Sequence, residues 1–392
     1  MSQQSLFLKI FSGSFLVAGT AIGAGMLALP LVTAQAGFFP ALIIYLACWL
    51  FSIATGLLMM EITMNLPEHS NLISMAKTYL GKGGLYASWL LYLFLFYCLT
   101  IAYISGGASM ISSVLFSGKS YGVSIALFTG IFGACVCLGT KVVDRMNVFL
   151  MIGLIASYFG FIALGIQHVH LENLTVFKLH YAVAALPIIF TSFSYQGILP
   201  TLADYLKRDR KAMRASIVIG STIPFVAYIL WDLLIKGIIP LPELIIAKNE
   251  GVSAVIPLKA ILKNSPITFI GQAFAFLALT TSFLGVTLGL LDFLADGLRV
   301  SKKGKNRLML SLLIYFPSAV IAVTNPNIFF KALEYAGGIG CVLLLGLIPI
   351  LMVFMKRYVM KERKGHIELF GGKLLLFILL IFILFELGVT LS

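Results

Sequence analysis

Gly19-Thr20-Ala21-Ile22-Gly23-Ala24-Gly25-Met26-Leu27-Ala28-Leu29-Pro30 interrupts an apolar stretch that runs from about residue 8 to 36. Glycine costs about 1 kcal/mol relative to alanine inside a helix and proline about 3, so three glycines and a proline weaken this helix in its middle. A second interruption stands in the stretch 181–206: Thr191-Ser192-Phe193-Ser194-Tyr195-Gln196-Gly197-Ile198-Leu199-Pro200. Pro30 and Pro200 are 170 residues apart, with five apolar stretches in each interval. An odd number of crossings turns the second copy upside down, which is the arithmetic of a five-plus-five inverted repeat with broken helices 1 and 6.

The rest of the chain fits that frame. Of 392 residues, 60% are hydrophobic and 11% charged, and the mean hydropathy is +1.03, so no single water-soluble core can hide the apolar surface. Crossing the hydrocarbon takes about 20 apolar residues per helix. Eleven such stretches follow one another: 8–36, 38–65, 84–116, 121–140, 147–167, 181–206, 215–239, 266–298, 308–324, 328–355 and 373–391. The expected fold is an all-α membrane protein of about 11 transmembrane helices. It forms a single transporter domain over 1–392, with repeats at about 8–167 and 181–355 and an extra helix at 373–391. The first stretch is too long for a signal-peptide core and runs on without a cleavage site, so it stays in the mature chain. The outer segment 240–265, rich in proline, has room for a short helix lying over the outer mouth.

Lysine and arginine total 28 against 15 acidic residues. With the N-terminus cytoplasmic, 21 of the 28 fall on the inner side and seven on the outer, as the positive-inside rule requires; eleven spans then put Ser392 outside. Basic clusters such as Lys207-Arg208-Asp209-Arg210-Lys211 lack interleaved aromatics and flank span ends, which excludes nucleic acid as a partner. All five cysteines (Cys48, Cys98, Cys135, Cys137, Cys341) lie inside spans and imply neither a disulfide framework nor a metal site. No cofactor, metal or obligate protein partner is expected, and no enzyme. The partners are the bilayer, a small molecule and a coupling ion.

Unwinding Thr20 to Gly25 exposes backbone N–H groups at the positive end of the following half-helix, which suits a carboxylate. Freed carbonyls and hydroxyls in Thr191–Gly197 suit an ammonium. Together they describe a zwitterion, most economically an α-amino acid. The competing reading of Gly19-xxx-Gly23 is close helix packing, and that of the second break is a kink satisfied by its neighbours.

Most ionisable residues sit near span ends. Glu61 snorkels at the inner end of the second span, Asp204 caps or pairs at the inner surface, Asp232 and Lys236 form a self-neutralising i,i+4 pair, and Glu386 stands alone in the last span. Asp292 and Asp296 share a helix face. They serve a proton relay, an inner gate or an interfacial role, or alternatively chelate the divalent metal of a membrane-embedded transferase. Thr280-Thr281-Ser282-Phe283 offers hydroxyls to a sodium ion, or bonds back to its own helix.

Three motifs together resemble the bacterial aromatic amino acid permeases, the tyrosine- and tryptophan-specific branch of the amino acid/polyamine/organocation superfamily. They are Gly19 to Pro30, Leu186-Pro187-Ile188-Ile189-Phe190-Thr191-Ser192-Phe193, and Ser282-Phe283-Leu284-Gly285-Val286-Thr287-Leu288-Gly289. The resemblance covers nearly the whole chain. It implies a leucine-transporter-type fold in a bacterial inner membrane, importing tyrosine, or tryptophan or phenylalanine, with protons by alternating access. It places the substrate carboxylate at Gly23, Ala24 and Gly25 and the amine at Thr20, Ala21, Thr191 and Ser194. Phe193, Tyr195, Tyr97, Tyr103 and Phe283 are the candidates for the side-chain pocket. Thr281, Ser282, Gln196, Asp292 and Asp296 are those for coupling or gating. Ser194-Tyr195-Gln196-Gly197 departs from the glycine and histidine expected of tyrosine-specific members, which leaves the substrate open, as does a sodium-coupled carrier of another neutral amino acid.

Overall fold

The computed structural model describes residues 3–262, 265–361 and 369–392, apart from the side chains of 3–5 and 259–260, and every regular element in them is helical. Lys263, Arg363 and Lys364, which enter the charge count above, lie outside the described residues. In chain order the α-helices are α1 (Gln3–Ala21), α2 (Ala24–Val32), α3 (Phe38–Thr63), α4 (Leu72–Leu115), α5 (Tyr121–Leu138) and α6 (Thr140–Gly165). Three short helices follow, α7 (Leu179–Ala184), α8 (Leu186–Ser192) and α9 (Leu199–Tyr205), and then the long α10 (Arg210–Ile238). The remainder are α11 (Leu241–Asn249), α12 (Val255–Leu262), α13 (Pro266–Leu298), α14 (Gly304–Thr324), α15 (Ile328–Tyr335), α16 (Ile348–Phe354) and α17 (Gly372–Leu391). A π-helical stretch, Ala336–Leu347, joins α15 to α16 into one long rod.

Nine helices among the described residues are long and apolar enough to cross a bilayer, and α1 with α2 make a tenth, bent by 56°. The remaining expected span, 181–206, is divided among α7, α8 and α9, none of which has crossing length. α4 starts twelve residues earlier than the expected 84, because Asn71 caps it in a reciprocal box with Ser74 and the helix is then kinked at Gly81. Gly81 has φ +67°, a conformation that only glycine adopts cheaply. The segment 240–265 holds two short helices, α11 and α12, rather than one.

The apolar surface has nowhere to go but lipid. Phe377, Ile378, Ile381, Leu384 and Phe385 on α17 are exposed, as are Phe149, Ile152 and Phe159 on α6. Patches of that extent are not left to water. The protein is a multi-pass membrane protein.

Glu61 does not snorkel. Its side chain is fully buried, with Lys356 Nζ 3.1 Å from one oxygen and the Arg357 guanidinium on both. The π-helical turn Met355–Val359 brings both cations to one carboxylate, tying the end of α16 to α3. Next to it, Arg208 donates to the Thr63 and Leu66 carbonyls, neutralising the negative end of α3. Asp204 pairs with Arg208 at 3.7 Å and His69 at 3.2 Å, as a residue closing the sixth span at a surface should. Removing one member of a buried ion network leaves the others uncompensated and costs about 3–5 kcal/mol. Glu61→Ala is therefore expected to lower the detergent-solubilised melting temperature sharply, and Glu68→Ala, an exposed neighbour, to leave it unchanged.

Candidate functional site

Gly23 carries the first break. α1 keeps its hydrogen bonding through Ile22, whose N–H reaches the Ala18 carbonyl, and α2 begins at Ala24. The unwound part is thus Ile22–Gly23, shorter than the stretch from Thr20 to Gly25 that composition suggests. Thr20 stays helical because its hydroxyl bonds back to Leu16. Gly23 is extended (φ −165°, ψ −153°), which any residue tolerates. What requires glycine is space: a Cβ there would stand 2.6 Å from the Ser282 hydroxyl and 3.9 Å from that of Tyr103. No side chain caps the first turn of α2; the Met26 N–H turns back to the Gly23 carbonyl at 3.1 Å, which leaves the Ala24 and Gly25 N–H groups at the positive end of the helix dipole. Gly23, Ala24 and Gly25 are all buried there.

The second break spans Phe193–Tyr195 and a 3-10 turn, Gln196–Ile198. Pro200 does not make it. That proline lies in the first turn of α9, where a missing N–H costs nothing, whereas Pro30 lies well inside α2. The two breaks touch. A Cβ on Gly25 would collide with the Ser192 side chain and come within 3.1 Å of its Cα, so α2 and α8 meet backbone to backbone.

Tyr228, on α10, joins them. Its buried hydroxyl lies 2.7 Å from the Ala21 carbonyl, at the end of α1, and 2.7 Å from the Ser192 carbonyl, at the end of α8. A phenol has one proton, so it donates to one carbonyl at a time. An ammonium, with three, serves both. Phe193 packs edge-on against the Tyr228 ring at 5.1 Å, and its carbonyl accepts from Ser52 of α3.

The other residues singled out by the sequence divide. Tyr103 and Ser282 converge on Gly23. Thr191 donates to the Pro187 and Leu333 carbonyls, Ser194 to Phe190, and Thr281 to Leu277 and Ala278, so these hydroxyls are spent on backbone. Tyr195 donates to the Ser52 carbonyl and Gln196 to the Thr55 hydroxyl, both pinned to α3, with Gly56 leaving room for the Tyr195 ring. One Gln196 oxygen is buried with no hydrogen-bond partner. Phe283 packs between Phe128 and Tyr315, and Tyr97 bonds to Leu313, both away from the breaks.

Asp292 and Asp296 lie near the C-terminal end of α13, where Lys302 is 3.1 Å from each and sits where a metal would be needed. Burial alone would lower the Lys302 ammonium, but the two carboxylates outweigh it and hold the group above the ordinary lysine value. Among the described residues no three His, Cys, Asp or Glu side chains gather as a metal site.

The two sides of the breaks differ. On the side of Gly37, α2 is locked: Lys236 donates to the Thr33 hydroxyl at 2.7 Å and the Gly37 carbonyl at 3.1 Å, with Asp232 at 2.9 Å. That ion pair is close, yet neither Asp232 oxygen meets hydrogen-bond geometry. The Lys178 N–H bonds to Ala36, and a Cβ on Gly37 (φ +92°) would run into the Val176 carbonyl. On the other side Thr20, Gly197 and Gly285 are exposed. Tyr228, Ser52, Lys236 and Asp232 thus matter more than the sequence alone indicates; only the i,i+4 spacing of the last two gave a signal.

A model of the tryptophan/tyrosine permease family matches residues 7–390. A tyrosine-specific transport system of Haemophilus influenzae is 35% identical, covering 95% of this chain and 94% of that one. A tryptophan-specific transport protein of the same organism is 31% identical over 95% of this chain and 93% of its own. A glutamine transporter of Aliivibrio fischeri is 30% identical over 95% and 97%.

Gly25→Ala is expected to abolish substrate binding and transport, because α2 and α8 must separate to admit one methyl. Gly130→Ala, with nothing within 4 Å on α5, is the control that keeps both. Tyr228→Phe leaves buried carbonyls without their donor and is expected to cost about 1–3 kcal/mol of stability, read as a lower melting temperature.

Proposed function

The chain belongs to the tryptophan/tyrosine permease family, and on that footing we propose that it is a secondary carrier for an aromatic amino acid, with tyrosine the first candidate and tryptophan or phenylalanine next. It is a permease-family protein and not an enzyme. The observation that carries the reading is the meeting of two helix breaks at Gly23–Gly25 and Ser192–Tyr195, bridged by one tyrosine hydroxyl. The uncapped N–H groups at the start of α2 take the substrate carboxylate, and the Ala21 and Ser192 carbonyls take the ammonium in place of the Tyr228 proton. Phe193 and Tyr103 flank this space and supply the aromatic wall. Thr191 and Ser194 contribute to the amine end by their carbonyls rather than their hydroxyls.

The fold we assign is the five-plus-five inverted repeat of the leucine-transporter type, in which α1 with α2 and α8 with α9 are the broken first and sixth spans. The locked side of α2 faces out and the exposed side of the breaks faces the cytoplasm, so this conformation opens inward. Alternating access requires the Lys236–Asp232 clamp at Thr33 and Gly37 to release. The N-terminus is cytoplasmic, the membrane is the bacterial inner membrane, and the coupling ion is a proton.

A second reading has one supporting observation. The Aliivibrio relative is named a glutamine transporter, and a carrier of another neutral amino acid, sodium-coupled, fits the same two breaks.

Counterflow of labelled tyrosine, tryptophan and glutamine in proteoliposomes, with pH and sodium gradients imposed separately, tests both. Saturable counterflow of tyrosine or tryptophan is expected, together with accumulation driven by a pH gradient. Glutamine counterflow alone supports the second reading, and no saturable flux of any amino acid sinks both.

A further inference from the structure

The aromatic-permease reading needs a group that holds the coupling proton, and none of Thr281, Ser282 or Gln196 is acidic. Asp292 and Asp296 are tied to Lys302 at the surface. Among the described residues, one carboxyl in the apolar spans has no such tie. Glu386 lies in α17 on the packed stripe Leu376, Leu379, Ile383, Glu386, is fully buried, and neither side-chain oxygen has a hydrogen-bond partner. The neighbouring Thr390 hydroxyl donates instead to the Glu386 main-chain carbonyl at 3.1 Å.

Among the described residues the cations near α17 gather at its other end, Lys373 over the Tyr358 ring and Lys356 and Arg357 of Met355–Val359 on Glu61. The π-helical stretch offers the Cys341 thiol and α3 the Cys48 thiol, both within electrostatic range of Glu386. α8 and α16 carry no titratable residue, and α7 carries His180 and Tyr181, both exposed. A lone buried carboxylate would be unpaired in a medium that does not solvate it, so Glu386 carries its proton in this arrangement.

Glu386 is also connected to the breaks. A Cβ on Gly338 would collide with the Thr390 side chain, and one on the adjacent Gly337 with the Pro187 carbonyl and Thr191 hydroxyl. Two consecutive residues of the π-helical stretch therefore grip α17 on one side and α8 on the other. Cys341, one turn further, is near enough to both Ser194 in the second break and Glu386 to interact electrostatically with each. π-Helical turns inside α-helices recur at functional sites, because their wider ring is a packing that can shift.

We propose that Glu386 is the proton-binding carboxyl that couples transport, acting on the second break through Gly337, Gly338 and Cys341. A proton from the outer water adds to a carboxylate oxygen of Glu386, giving the neutral acid that this packing accommodates. Release to the inner water restores the carboxylate, which cannot stay in this packing and so displaces α17 relative to Ala336–Leu347. That displacement reaches α8 through Gly337.

This inference rests on the proton-coupled reading above, and one experiment separates the two. Wild-type protein and Glu386→Gln are compared in proteoliposomes for labelled-tyrosine counterflow and for accumulation driven by an inward proton gradient, with Glu386→Asp alongside. The expected result is that wild type does both, Glu386→Gln keeps counterflow and loses accumulation together with the pH dependence of uptake, and Glu386→Asp recovers accumulation. A wild type that exchanges tyrosine but ignores the pH gradient overturns the proton coupling itself. A Glu386→Gln protein that accumulates like wild type overturns the role of Glu386 alone, as does one that loses counterflow along with accumulation, since Glu386 would then be structural.

Discussion

A helix that breaks inside a bilayer leaves backbone N–H and C=O groups that no water will satisfy, and each such group costs several kcal/mol if it stays unpaired. This chain breaks two helices and brings the breaks together. The Ala21 and Ser192 carbonyls share the Tyr228 hydroxyl, the Phe193 carbonyl takes the Ser52 hydroxyl, and the first N–H groups of α2 have no side-chain cap. The arrangement is satisfied enough to be stable and short by enough to bind. What it lacks, a negative group at one end and additional donors at the other, is what a zwitterionic amino acid carries.

The same constraint governs the buried charges. Glu61 is held by Lys356 and Arg357, and Lys236 by Asp232, Thr33 and the Gly37 carbonyl. These networks fasten opposite ends of the bundle: the first joins α3 to the end of α16, the second joins α2 to α10. A carrier that exposes its site alternately needs one fastening to hold while the other yields. In the proposed cycle the Lys236 cluster, which joins α2 to α10, is the fastening that yields.

Much of this was legible in the residues. The glycines and hydroxyls of the two breaks, and the length and order of the apolar stretches, are local properties and appear in the structure near the expected positions. Composition extends the first break back to Thr20, where the chain is still helical. Pro200 follows the second break in sequence but stands in the first turn of the next helix. Tyr228 was invisible: one tyrosine among 15, it gains meaning only when α10 passes between two helix ends that lie far from it in sequence. Tyr195 and Phe283 have the right chemistry for a ring pocket but turn toward α3 and toward Phe128, since side-chain direction depends on rotation that periodicity in a wholly apolar helix does not encode.

An amino acid bound at the junction of the two breaks and reached from the cytoplasmic side, as proposed, shields Thr20 from reagents on that side. A cysteine-free background carrying Thr20→Cys, at an exposed position beside the first break, tests it directly in inside-out vesicles through the rate of labelling by a membrane-impermeant maleimide. Tyrosine or tryptophan is predicted to slow labelling at position 20 in a saturable way, while a Glu68→Cys control in the loop after α3 labels at a constant rate. Equal labelling at position 20 with and without every amino acid that the protein transports would contradict the account.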